Sequence, residues 1–253
     1  MSRSVLDPPA VDQYGWRRVL GVWAAAALPM GLLAWVVAPL LADRLDGPSA
    51  LPRALIVALT VGLAWQMVLV LLLVHRERGS VRWSVLRAAL WLGPPRSPRT
   101  GRVGGRVWWM VLPFLLLSAL AQELPSPPAV ESHDLGSFLG SDAGGDLLAG
   151  SWGWFALLAV MLLLNTVFGE ELLFRGLLLP RMQAAFGRGD WAVNGLLFAA
   201  YHLHAPWAMP GALVDMITLS YASRRYRSAW MGIIVHSAQT VVILGIALAV
   251  VLG

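Results

Sequence analysis

The sequence predicts an all-α membrane protein, a polytopic bundle of about seven transmembrane helices, and three observations carry that reading. Apolar residues make up 58% of the chain and charged residues only 13%, where a soluble domain has about 25% charged residues. The apolar residues fall into runs of about 20, the length needed to cross about 30 Å of hydrocarbon at 1.5 Å per residue. The basic residues, all of them arginine, gather in the short segments between those runs.

The first run, about Val19 to Ala42, follows a polar stretch read as a cytoplasmic N-terminal tail over residues 1–18. It has no small-residue cleavage site at its end, so it is expected to be a retained first helix. The membrane domain then covers residues 19–253. The second span is expected over about Ala54 to Val74.

Segment 75–106 holds eight arginines against the single acid Glu77, which marks it as cytoplasmic under the positive-inside rule. Val81, Trp83, Val85, Leu86, Ala89, Leu90 and Trp91 recur between its arginines, as in an amphipathic helix lying in the membrane interface. A third span, Val107 to about Gln122, leads into a loop with Glu123, Glu131, Asp134, Asp142 and Asp146 and no arginine, expected outside. Trp108, Trp109 and Trp191 stand at span starts, where belt tryptophans belong.

The fourth span is expected from about Leu147 to Phe168, the fifth over Trp191 to His204, the sixth over Gly211 to Ala222 and the seventh over Ala229 to Leu252. Spans five and six are short, and Pro206 and Pro210 between them block a continuous helix. Alternate crossing puts the N-terminus in the cytoplasm and the C-terminus outside a cell membrane, with each arginine-rich segment on the inner side.

Composition also excludes functions. A net charge of +5 without a basic patch interleaved with aromatics gives no case for a nucleic-acid partner. With no cysteine there is no disulfide, no thiolate metal site and no cysteine-protease chemistry. The partners left are the lipid bilayer and a peptide or protein substrate.

The chemistry lies in the polar residues placed within apolar sequence. Glu170, Glu171 and Arg175 follow Phe168 and Gly169. Each charge costs about 3 kcal/mol at the centre of a membrane helix, so they must be paired, hydrated or at the membrane edge. Glu171 and Arg175 are four apart with the acid first, the favourable order for a helical ion pair. Glu170 points about 100° away and is left free for chemistry. His202 in span five and His236 in span seven complete the set. One carboxylate and two imidazoles can activate a water as general base and orienting partners. Glu170, His202 and His236 can equally form a His-His-Glu zinc site with an open position, so zinc is an alternative cofactor and both schemes stay open. Asn165 is read as a bundle hydrogen-bonding residue or a groove residue, and His204 and Asp215 as interfacial.

Taken together, Glu170-Glu171-x-x-x-Arg175, Phe198-x-x-x-His202 and His236 in a late apolar helix resemble the three motifs of the CPBP family of intramembrane proteases, the CAAX and bacteriocin-processing enzymes once called the Abi family. The resemblance covers about Val160 to Thr240 and implies a catalytic region of about 150–252 near the cytoplasmic face. It implies that Glu170 is the general base acting with His202, that Glu171 and Arg175 support it, and that His236 helps stabilise the oxyanion. Where the family has Asn four residues after that histidine, this chain has Thr240, beside Gln239. The implied function is an intramembrane endopeptidase acting on a membrane-associated, hydrophobic or prenylated peptide. A catalytically silent peptide-binding relative and a proton-coupled transporter are the readings set against it.

Overall fold

The computed structural model describes residues 11–123 and 127–253, so the first ten residues of the expected N-terminal tail lie outside the described part. Among the described residues the structure is helical, and the only extended pairing is an isolated bridge between Arg96 and Val103. The bundle is carried by α1 (Trp16–Ala42), α2 (Ala50–Arg78), α3 (Gly105–Ala121), α4 (Trp152–Arg181), α5 (Asp190–Tyr201) and α6 (Trp230–Leu252). Of these, α1, α2, α4 and α6 are long and apolar enough to cross a membrane, and α3 is a shorter apolar helix.

Burial sorts the helices. The apolar stretch of α4 is 61% buried, against 28% for α1, 39% for α2 and 22% for α6. α4 is therefore the core helix, and the others turn large exposed residues such as Leu28, Leu72 and Val241 outward. An apolar outer face of this kind is what a bilayer demands and water penalises.

α4 differs from the expected fourth span at both ends. Asp142–Leu148 forms a separate helix, and the chain turns at Gly150, whose φ of +65° suits a residue without Cβ. The helix that starts at Trp152 does not stop at Phe168 but runs on to Arg181. It can continue because its charges are paired inside the protein and need no water: Arg175 with Glu171 at 2.8 Å and Arg181 with Glu77 at 2.8 Å.

Arg181 is fully buried and ties one end of the bundle together. Its Nε and Nη2 donate to Glu77 of α2, and its Nη1 donates to the carbonyls of Leu177 and Ala89. The Tyr14 hydroxyl and Arg18 Nη2 donate to the other Glu77 oxygen, while the Tyr14 amide donates to the Arg181 carbonyl at 2.8 Å. α1, α3 and α6 start at this end and α2 and α4 finish there, so the arginine-rich segments share one side of the bundle.

The expected interfacial helix is short, Trp83–Ala89. Its Val81 and Trp83 flank is exposed, but Ala89 and Leu90 are buried and the Ala89 carbonyl receives Arg181, so the segment is packed onto α4. The expected sixth span is broken after Met209–Ala212, and a helix that is π-helical over Met216–Tyr221 then continues through Ala222–Tyr226. Pro206 and Pro210 lie just ahead of the break, where proline removes a backbone donor. Span five ends at Tyr201, with His202 already outside helical geometry.

Candidate active site

The site begins with the backbone of α4. Leu164–Gly169 and Leu172–Leu178 are π-helical, on either side of Glu170 and Glu171. A π turn holds one residue more than an α turn and is often found at functional sites. The Phe174 carbonyl, which accepts the Leu179 amide within the π turn, also accepts a hydrogen bond from Asn194 Nδ2 of α5 at 2.9 Å. Gly169 lets α2 approach, since a Cβ there would lie 3.2 Å from the Leu63 carbonyl and 2.7 Å from the Leu164 carbonyl.

The two glutamates turn to different surroundings. Glu171 is fully buried; its Oε1 accepts from Arg175 Nη1 at 2.8 Å and from His236 Nδ1 at 3.1 Å. Arg175 is equally buried and lays its guanidinium over the Phe198 ring, 4.0 Å from the centroid. Neither Glu171 nor Arg175 lines the main cavity, whereas Glu170 does. With its amide nitrogen turned toward Glu170, Asn165 donates to both carboxylate oxygens at 2.7 and 2.9 Å.

That cavity has a volume of about 660 Å³, and its wall includes Glu170, His202 and His236. Phe198 lies between the histidines: its ring is 5.0 Å from that of His202 and 6.1 Å from that of His236, both nearly perpendicular. His202 Nδ1 lies 3.0 Å from the Phe198 carbonyl, which can only accept, so Nδ1 carries the proton and Nε2 is left as the acceptor. The same logic fixes His236, whose Nδ1 proton is held by the Glu171 carboxylate.

His204 and Asp215, expected at the interface, also line this cavity, as do Asn165, Gln122 and Gln239. Their placement follows from the broken sixth span, because the chain from His202 to Asp215 folds against the cavity instead of crossing as a helix. Thr240 is placed elsewhere. It is buried between α6 and α4, donating to Thr166 Oγ1 at 3.2 Å, and its neighbour Gln239 takes the cavity position. Sequence reasoning misses Tyr201, which is fully buried and whose hydroxyl accepts from Gln66 at 2.6 Å. A tyrosine directly before a motif histidine is the one signal that points to it.

Among the described residues no three His, Asp or Glu side chains converge as ligands for one metal ion. With His236 Nδ1 on Glu171 and His202 Nδ1 on a carbonyl, only the Nε2 atoms are left to meet a ligand.

Over residues 152–242, from the start of α4 into α6, the chain matches the family model described as type II CAAX prenyl endopeptidase, Rce1-like. The match supports the CPBP/CAAX protease family for this part of the chain. The matched region holds Glu170, Glu171, Arg175, His202, His236 and Thr240. At family level the match supports a CAAX-type intramembrane protease, and a protease of that family implies a peptide or protein substrate in a membrane setting. No curated protein and no solved structure matches the chain at significant similarity.

Proposed function

We propose that the cavity hydrolyses a peptide bond of a hydrophobic or prenylated, membrane-associated substrate, using water activated by Glu170. The observation that carries this reading is the meeting of Glu170, His202 and His236 on the wall of one cavity, from three separate helical regions. Apolar residues from α1, α2 and α4, including Met30, Leu59, Leu63 and Met161, supply the rest of the wall and suit a hydrophobic chain.

Glu170 takes a proton from water while the hydroxide attacks the scissile carbonyl carbon. His202 Nε2, its ring fixed through Nδ1, accepts a hydrogen bond from that water and orients it. The negative charge that develops on the carbonyl oxygen is met by His236 as an imidazolium, which keeps Nδ1–H on Glu171 and donates Nε2–H to the oxyanion, with Arg175 holding the same carboxylate. Glu170 then returns the proton to the leaving amine, which restores the carboxylate. The Asn165 amide holds Glu170 in place and, as a neutral donor, does not compete for its proton.

The arginine-rich end of the bundle is assigned to the cytoplasm under the positive-inside rule, which sends α6 and the C-terminus outward. In reconstituted membranes, Glu170→Gln is expected to reduce turnover of a hydrophobic peptide by at least about a hundredfold while the protein stays folded and inserted. Wild-type turnover in that variant would take Glu170 out of the mechanism.

A further inference from the structure

At the arginine-rich end a second concavity, of about 330 Å³, opens beside the start of α3 and the end of Ala222–Tyr226. Three arginines line it, Arg99, Arg106 and Arg225, together with Ser97, Thr100 and Tyr226. No acidic residue is among its lining, and among the described residues none of the three arginines has a hydrogen-bond or ion-pair partner. Other arginines of this end do: Arg18 and Arg181 share Glu77, and Arg224 holds Asp190 with Nε at 2.7 Å. Three like charges facing one space repel one another, and a bound anion relieves that repulsion.

The uncharged lining is also arranged to donate. Ser97 Oγ accepts from the Thr100 amide at 3.3 Å, and Thr100 Oγ1 accepts from the Arg102 amide at 3.4 Å. Each hydroxyl thus uses its oxygen within the loop and keeps its hydrogen for an acceptor placed in the concavity. Arginine forks and hydroxyl donors together match the tetrahedral oxygens of a phosphate.

The concavity continues along α3 through Val107 and Met110. Elsewhere along α3, Trp109, Leu112, Leu116 and Leu120 are each between 49% and 65% exposed. An exposed apolar face on the helix whose start lines a cationic concavity is the arrangement that an acyl chain and its phosphate headgroup would use. We propose that this concavity binds a phosphate oxyanion, supplied by the headgroup of an acidic phospholipid whose chains lie along α3.

The test uses the full chain in phosphatidylcholine nanodiscs with and without phosphatidylglycerol, lipids retained being read by native mass spectrometry and melting by thermal shift. Phosphatidylglycerol is expected to stay bound to the wild type and to raise its melting temperature. The combined variant Arg99→Gln, Arg106→Gln, Arg225→Gln is expected to bind it roughly a hundredfold more weakly, since each substitution removes one cation from the headgroup site. A control with the same charge change outside the concavity, Arg82→Gln, Arg87→Gln, Arg188→Gln, is expected to bind as the wild type does. A third arm adds inorganic phosphate to protein in detergent. Protection by phosphate equal to that by the lipid would keep the site and make a soluble anion its ligand. Weakening in the control as large as in the test variant, or no binding of either ligand, would overturn the proposal.

Discussion

His236 donates through Nδ1 to Glu171 Oε1 at 3.1 Å, joining α6 to α4 at the same carboxylate oxygen that Arg175 holds at 2.8 Å. The hydrogen bond turns a helical ion pair into a three-membered chain that reaches the cavity, where His236 is the member on the wall. In the proposed mechanism Glu171 therefore acts at one remove from the substrate, by fixing the His236 ring.

Removing Glu171 leaves the buried Arg175 guanidinium with no carboxylate. Glu171→Ala is expected to destabilise the protein by about 3–5 kcal/mol, read as a fall in melting temperature. Replacing both residues, Glu171→Leu with Arg175→Met, is expected to recover most of that stability, since no uncompensated charge stays behind. The double variant is expected to remain without activity, because His236 no longer has its anchor. Stability that does not recover would show that the pair is not what fixes this part of the bundle.

Gly232 lies where α6 crosses the Glu171–Arg175 pair, and a Cβ there would sit 2.5 Å from Glu171 Oε2 and 2.9 Å from Ser223 Oγ. Gly232→Ala must push α6 or the carboxylate aside. The expected outcome is a loss of activity of at least about tenfold with a stability cost of about 1–3 kcal/mol, the usual range for overpacking. Unchanged kinetics would mean that His236 tolerates the displacement.

Thr240 and Gln239 exchange their expected roles. The family pattern suggests that Asn at position 240 would add an oxyanion donor and speed the reaction, but the Thr240 side chain is directed to Thr166 and does not line the cavity. Thr240→Asn is accordingly expected to cleave no faster and to cost about 1–3 kcal/mol of stability through crowding. Gln239→Ala, at the cavity wall, is expected to slow cleavage with little change in melting temperature. Initial rates and thermal melts of the two variants, measured side by side, decide the matter; a faster Thr240→Asn enzyme would restore the position to the site.

Water activation by Glu170 without a metal predicts that dialysis against a strong chelator leaves cleavage of the peptide intact. Loss of activity restored by added zinc would instead favour the His-His-Glu scheme through Glu170, His202 and His236.

The sequence by itself determined the helical membrane character, through run length and charge placement, and the local pairing of Glu171 with Arg175, because four residues apart is one helical turn. It also singled out Glu170, His202 and His236, since ionisable groups in apolar runs are too costly to be incidental. What it could not contain is which way each side chain turns once the helix leaves regular periodicity. The π turns around Glu170 and Glu171 change the phase of α4, and apolar residues surround the motif on every side, so no amphipathic stripe marks the inner face. Only tertiary packing brought Asn165, His204, Asp215 and Gln239 to the cavity, put Phe198 between the two histidines and Arg175, and sent Thr240 away from it. Those interactions join residues on different helices, and their energies depend on approach distances set by residues such as Gly169 and Gly232, which no local pattern encodes.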